Sequence, residues 1–192
     1  MKRVAIYGGS FNPPHLGHIA LARCVLASGR ADEVWLMVSP KNPLKAADSL
    51  LPTPQRLHLA ALATEGEEGI RVSDFETHLP IPSYTFKTLR ALREQYPDLE
   101  FCLLVGADNW QVFSSWAHPE EILRHHRLLV YPREGYPIEA SSLPDGVELI
   151  DAPLFPVSST EVRRLVREGK SVEHLVGKAV ATAIEREGLY LG

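Results

Sequence analysis

The chain has 192 residues, of which 45% are hydrophobic and 23% are charged, and its formal net charge is -4. This length is enough for one well-packed domain and short for two. The small negative charge gives no general attraction for nucleic acid, so an anionic ligand must be bound by a local site. We therefore expect a single domain over 1–192, with an α/β core over 1–157 and a helical segment over 158–192.

The N-terminus and the cysteines bear on cellular location. Met1-Lys2-Arg3 leads directly into a short apolar run, which has neither the apolar stretch of a signal peptide nor the length of a membrane span. Cys24 and Cys102 lie in apolar segments far apart in sequence. This arrangement fits two buried thiols in a reducing compartment better than a disulfide framework. We expect a cytoplasmic protein that binds neither membrane nor nucleic acid.

Short apolar runs alternate with amphipathic ones along most of the chain. They predict strands near 3–8, 33–39, 70–75, 100–105, 127–131 and 147–150, and helices near 16–29, 54–66 and 84–96. Thr53 is the expected N-cap of the second helix, with Pro54 at its first position. After Ser158 the patterns are helical, near 159–169, 171–176 and 177–188, while 40–53 and 132–146 read as long loops. The alternation predicts a mainly parallel α/β sheet with a helical C-terminal cap.

The segment Gly8-Gly9-Ser10-Phe11-Asn12-Pro13-Pro14-His15-Leu16-Gly17-His18 joins the first strand to the first helix. Its glycines let backbone N–H groups approach a ligand, and its prolines stiffen the turn. His15 and His18 stand three apart at the helix entry, so both imidazoles can face one side, next to a helix N-terminus that favours anions. The segment predicts a phosphate site, although it has neither the P-loop spacing nor that of dinucleotide folds.

Two other interpretations of the histidines compete with this one. A His-x-x-His pair can be half of a metal site, but the sequence has no His-Glu-x-x-His pattern and no Cys cluster to supply the remaining ligands. The pair could also be two polar residues of a loop that bind nothing. Its position behind a strand, where open α/β sheets bind ligands, favours the phosphate site.

Ser158-Ser159-Thr160-Glu161-Val162-Arg163 opens the first C-terminal helix. Ser158 and Glu161 have the spacing of a capping box. Three hydroxyls in a row and Arg163 one turn inside would equally suit phosphate oxygens. Both interpretations stay open on these residues alone.

Three further segments could carry chemistry. Asp108, in Gly106-Ala107-Asp108-Asn109, could accept from ribose hydroxyls or act as a helix N-cap. Trp116, in Ser-rich sequence, could stack on a planar ring or pack into the core. Lys41 and Lys45 follow the second strand, and this position is the only argument for a role, because exposed lysines usually contact only solvent.

Together these residues resemble a known family. Gly9-Ser10-Phe11-Asn12-Pro13 with His15-Leu16-Gly17-His18, and then Ser158-Ser159-Thr160 with Arg163, resemble the two signatures of the nucleotidyltransferases of the His-x-Gly-His type. The chain also resembles bacterial nicotinate-nucleotide adenylyltransferases over essentially its whole length. The segments that carry this resemblance are Asn42–Lys45, Ser83–Thr85, Gly106–Asn109, Trp116 and Pro132–Tyr136. Leu44 departs from that pattern, since many relatives carry His there.

The resemblance implies a Rossmann-like, doubly wound fold and adenylyl transfer from ATP to nicotinate mononucleotide in NAD biosynthesis. It implies catalytic roles for His15, His18 and Lys45. It places ATP against Gly9, Ser10, Phe11, His15, His18, Gly106, Asp108, Ser158, Ser159, Thr160 and Arg163, and nicotinate mononucleotide against Asn12, Lys45, Tyr84, Thr85, Trp116 and Arg133.

The resemblance also implies Mg²⁺ on the ATP phosphates, with no ligand from a protein side chain, and leaves open whether the chain forms homo-oligomers. Two alternatives remain at this point. Pantetheine-phosphate adenylyltransferases share both signatures, and a nucleotide-sensing module could bind without turnover.

Overall fold

A computed structural model of the chain describes residues 1–40 and 50–192. Its strands are β1 (Lys2–Gly9), β2 (Glu33–Val38), β3 (Ile70–Ser73), β4 (Leu99–Gly106), β5 (Leu128–Tyr131) and β6 (Val147–Leu149). Its α-helices are α1 (Leu16–Ala27), α2 (Thr53–Thr64), α3 (Thr85–Gln95), α4 (Ala107–Gln111), α5 (Pro119–His125), α6 (Ser159–Arg167), α7 (Glu173–Val176) and α8 (Lys178–Arg186). Short 3-10 helices cover Phe75–His78, Phe113–Ser115 and Ala140–Ser142.

Over the described ranges the strands form a six-stranded sheet in the order β3-β2-β1-β4-β5-β6. Every pairing is parallel, and β1 lies at the centre, where Ala5 stands opposite both Val34 of β2 and Cys102 of β4. The strand order reverses between β1 and β4. In sheets of this kind ligands bind outside the carboxyl ends of the strands at that switch point, so the loops after β1 and β4 border the expected ligand site.

Alternate side chains of the sheet pack on its two faces. Ala5 and Tyr7 of β1 belong to the cluster beneath α1, whereas Val4 and Ile6 belong to the cluster beneath α3 and α5. A third cluster joins α6, α7 and α8 to Leu59 of α2. Helices therefore cover both faces, and the predicted doubly wound, Rossmann-like fold with its helical C-terminal cap is confirmed.

The predicted strands and helices are confirmed to within two residues at each end. The helices α4 and α5, of five and seven residues, were not predicted because such short segments show no helical period. The predicted N-cap of α2 was wrong. Pro52 occupies that position, because its carbonyl accepts from the N–H groups of Gln55 and Arg56, and Thr53 is the first helical residue.

Other expectations have mixed outcomes. Residues 41–49 of the predicted 40–53 loop, including Lys41 and Lys45, lie outside the described residues. The 132–146 loop contains a bridge between Arg133 and Tyr136 and one 3-10 helix. Cys24 and Cys102 are free thiols, and Cys102 is buried while Cys24 is half-buried. Across the described parts of the chain, no helix has the length and apolar character to cross a membrane.

Candidate active site

The two signature segments, far apart in sequence, meet at the carboxyl end of β1. The Ser159 hydroxyl donates to the Pro13 carbonyl at 2.8 Å, and Arg163 Nη1 donates to the Asn12 carbonyl at 2.7 Å. Arg163 Nη2 also donates to the Thr160 hydroxyl at 3.3 Å. The start of α6 is thus hydrogen-bonded to the loop that follows β1, and the N-termini of α1 and α6 lie on one site.

Ser158 caps α6. Its hydroxyl accepts from the Glu161 N–H at 3.2 Å, as the predicted capping interaction requires. The Glu161 carboxylate instead lies 3.3 Å from Arg164 Nη2 on the next turn. The cap and the phosphate interpretation are therefore compatible, because Ser158 serves the helix while Ser159 and Arg163 reach the loop.

The two histidines stack on each other at the start of α1. Their ring centroids are 3.6 Å apart with an interplanar angle of 20°, so the predicted common orientation is confirmed. His15 is the N-cap residue of the helix, and its N–H donates to His18 Nδ1 at 3.0 Å. Because Nδ1 of His18 accepts, the neutral ring carries its proton on Nε2. His18 thereby presents an Nε2–H donor.

Burial decides the charge of His15. Burial, reinforced by the positive charge of Arg133, lowers the pKa of His15 from 6.5 to about 4. The ring is therefore neutral at pH 7 and acts as a hydrogen-bond donor or acceptor rather than as a cation. A neutral imidazole can still donate to a phosphate oxygen.

Gly17, between the two histidines, has no room for a side chain. A Cβ at this position would lie 2.7 Å from Val157 Cγ1 and 3.1 Å from His15 Nδ1. Even an alanine would push α1 away from the segment that leads into α6. The glycine thus allows the close approach that brings the two signature segments together.

Asp108 lies at the carboxyl end of β4, beside this loop. Gly106 is the N-cap residue of α4, so the alternative of Asp108 as the N-cap was wrong. Asp108 Oδ1 lies 3.5 Å from Arg133 Nε. Within the described ranges this buried oxygen accepts no hydrogen bond. Buried polar atoms normally have hydrogen-bond partners, so this oxygen is suited to accept from a ligand hydroxyl.

The residues expected at the nicotinate ring form a second group. Tyr84 is the N-cap residue of α3 and is 43% exposed, and Thr85 begins the helix, whose first N–H groups have no acceptor within the helix. Trp116 is half-buried and packs 5.2 Å from the Phe113 ring. The Phe86 and His118 rings, 4.5 Å apart, join α3 to the segment that carries Trp116.

Sequence reasoning missed two kinds of residue at this site. The Tyr7 ring lies 5.9 Å from the Tyr131 ring and 5.8 Å from the His18 ring, and burial raises the pKa of Tyr7 well above its usual range. Arg56 is fully buried beside the loop. A signal for Arg56 was present, since it shares the buried face of α2 with Leu59 and Ala60 at helical spacing.

Comparison with known proteins yields consistent matches. A family model described as cytidylyltransferase-like matches residues 6–165. A Bacteroides fragilis protein named probable nicotinate-nucleotide adenylyltransferase is 46% identical over 178 residues, which cover 93% of this chain and 89% of that protein. A Bacteroides thetaiotaomicron protein of the same name is 47% identical over 174 residues, covering 91% and 86%.

A solved structure shares the fold. The nicotinic acid mononucleotide adenylyltransferase of Plasmodium falciparum, in complex with NaAD, superimposes with a TM-score of 0.82 at 20% identity. The match covers 99% of this chain and 98% of that one. At this identity the likeness concerns the arrangement of strands and helices.

Proposed function

The chain belongs to the cytidylyltransferase-like family and, within it, to the nicotinate-nucleotide adenylyltransferases, and we propose that it transfers the adenylyl group of ATP to nicotinate mononucleotide, releasing pyrophosphate. The observation that carries the proposal is the joining of both signature segments at the switch point of the sheet. Arg163 and Ser159 hold the loop that bears the stacked histidines. Two helix N-termini and these donors suit a polyphosphate.

The reaction needs no protein base. The phosphate of the mononucleotide is largely dianionic at neutral pH, because the second pKa of a phosphate monoester is about 6. One of its oxygens attacks the α-phosphorus of ATP, and the bond from that phosphorus to the pyrophosphate oxygen breaks. The protein has to align these atoms and stabilise the charge that moves onto the pyrophosphate.

The histidine loop and α6 would supply that stabilisation. We assign His18 Nε2–H and the neutral His15 ring to the phosphates at the reacting centre, and Ser159, Thr160 and Arg163 to the far end of the triphosphate. Arg163 keeps N–H groups beyond its bond to Asn12, because a guanidinium has five donors. Lys45 is assigned to phosphate charge on the family resemblance alone.

Mg²⁺ is proposed to enter on the ATP phosphates. Mg²⁺ prefers oxygen ligands and is usually bound through substrate phosphates and water. The donors described around the loop are imidazole, guanidinium and hydroxyl groups, which suit the phosphates rather than the ion itself. When bound, the ion would neutralise charge on the leaving pyrophosphate.

Asp108 and the second group of residues would give substrate specificity. The buried Oδ1 of Asp108 would accept from the ATP ribose. Trp116 would stack on the nicotinate ring, and the first N–H groups of α3 at Thr85 would receive its carboxylate. Asn12 and Arg133 are assigned to the mononucleotide by resemblance. A carboxamide would set its own N–H groups against those donors, so the acid should be preferred.

A comparison of substrates tests the proposal. With ATP and Mg²⁺, turnover of nicotinate mononucleotide, nicotinamide mononucleotide and phosphopantetheine is measured side by side. We expect kcat/KM for the acid to exceed that for the amide by on the order of a hundredfold. Preference for phosphopantetheine would assign the chain to a sister activity, and binding without turnover would make it a sensor. We also infer a cytoplasmic location, which the free thiols support.

A further inference from the structure

Arg56 has an unusual environment for a charged side chain. It is 0% exposed, and each of its five N–H groups has an acceptor. The acceptors are Leu51 O at 2.9 Å, Ser10 O at 2.7 Å, Ser39 O at 2.8 Å, Pro40 O at 3.2 Å and Thr53 Oγ1 at 2.9 Å. None of these five acceptors is a carboxylate, so the guanidinium is buried against neutral groups.

A charged residue at a core position is unfavourable for stability. Burying a charge is unfavourable unless the charge is paired and hydrogen-bonded. An apolar residue here would extend the buried face that Leu59 and Ala60 form on α2 without that penalty. The hydrogen bonds of Arg56 fix backbone atoms in the loop over residues 8–18 (the phosphate loop), at the end of β2 and before α2. Arg56 therefore acts through the carbonyls that it holds.

The Ser10 carbonyl lies within the phosphate loop. The peptide bond from Ser10 to Phe11 is trans, so the Phe11 N–H lies in the same plane as the Ser10 carbonyl and points in the opposite direction across the C–N bond. The carbonyls of Asn12 and Pro13 also accept hydrogen bonds from side chains, but each is followed by a proline, which has no N–H. Of the three loop carbonyls that accept from side chains, only that of Ser10 is therefore followed by a residue with an N–H group.

The conformation of Phe11 requires such support. Its φ of 45° lies in the left-handed region, which is unfavourable for a bulky residue. Its ring is 2% exposed and packs against Tyr7 and His18. The ring on one side and the Arg56 bond on the other hold the peptide in this orientation.

We propose that Arg56 is a positioning residue of the active site: by holding the Ser10 carbonyl it directs the Phe11 N–H toward the triphosphate of ATP. The inference rests on the proposed function in taking ATP as the anion. The same guanidinium ties the end of β2 to the loop through Ser39 and Pro40. It also places a positive charge, whose five hydrogen-bond acceptors are all neutral, behind the loop, and this charge favours an anion in front of it.

The variant Arg56→Lys tests the geometry. Lysine keeps the charge but has three donors on a flexible stem, so it cannot hold five acceptors in a plane. We expect a folded protein whose kcat/KM for ATP falls about tenfold or more, while its KM for nicotinate mononucleotide changes little. Unchanged kcat/KM for ATP would overturn the proposal, as would equal losses for both substrates.

Two controls separate positioning from loss of stability. Arg71→Lys makes the same exchange at a largely exposed arginine paired with Glu33. Val25→Ala removes buried volume near the end of α1 that lies away from the loop. Both should keep the kcat/KM for ATP of the starting protein when assayed well below their Tm. If Val25→Ala loses as much activity as Arg56→Lys at equal Tm, positioning is refuted.

A second measurement uses the unaltered chain. With 15N-labelled phenylalanine, six amide signals are expected, and the Phe11 signal is identified by its loss in Phe11→Leu. Adding ATP and Mg²⁺ without the mononucleotide should move the Phe11 N–H downfield, and move it less in Arg56→Lys. A Phe11 signal unmoved by saturating ATP would overturn the inference even if turnover proceeds. If the Phe11 signal shifts with ATP but the protein shows no turnover, the proposed function alone would be contradicted.

Discussion

The low pKa of His15 makes stability depend on pH in a way that can be calculated. Burial and the charge of Arg133 lower this pKa from 6.5 to about 4. Below pH 6.5 the unfolded chain binds a proton on this ring, whereas the folded chain does not until the pH approaches 4. The stabilisation is therefore fully present above pH 6.5 and is lost as the pH falls. Its full size is about 3 kcal/mol, and about 2 kcal/mol is lost by pH 5.

Urea unfolding of the protein and of His15→Asn at about pH 7.5 and about pH 5 measures this loss. We expect the unaltered protein to lose about 2 kcal/mol more than the variant between the two conditions. Burial also lowers the pKa of His126, but that residue is common to both proteins and cancels in the difference. Equal losses in the two proteins would refute the buried, neutral state assigned to His15.

Three further substitutions probe separate parts of the site. Trp116→Ala should raise the KM for nicotinate mononucleotide about fivefold, from a stacking loss of roughly 1 kcal/mol, and leave the KM for ATP nearly unchanged; equal rises would assign Trp116 to the fold. Gly106→Ala should raise the KM for ATP, because the new Cβ would lie 2.3 Å from Asp108 Oδ1 and displace it; an unaltered KM would argue against a ribose contact. Ser158→Ala should lower the free energy of unfolding by about 1 kcal/mol through loss of the cap on the Glu161 N–H, and an unchanged urea midpoint would contradict that.

Local signals in the sequence were sufficient for the sheet and for the histidine loop. Apolar runs of strand length and the glycines and prolines behind β1 act over a few residues, so they can be recognised directly. The contact between Arg163 and Asn12 spans 151 residues, and no periodicity predicts it. The family resemblance implied that both signature segments bind substrate, but it did not predict this contact.

Arg56 shows why part of the site escaped prediction. Its acceptors come from the loop after β1, the end of β2 and the start of α2, which meet only in the folded chain. A charged residue in sequence is expected at the surface. The helices α4 and α5 escaped because their lengths of five and seven residues show no period, although α4 positions Asp108.

The rate of pyrophosphate release by His18→Ala tests the central role of the stacked histidines most directly. The variant is assayed with ATP, Mg²⁺ and nicotinate mononucleotide, beside the unaltered protein and with circular dichroism to establish folding. Because one preorganised donor at the reacting phosphate contributes on the order of 3 kcal/mol in the transition state, we expect kcat to fall by about a hundredfold or more. A folded variant with a rate near that of the unaltered protein would show that His18 does not act on the reacting phosphate.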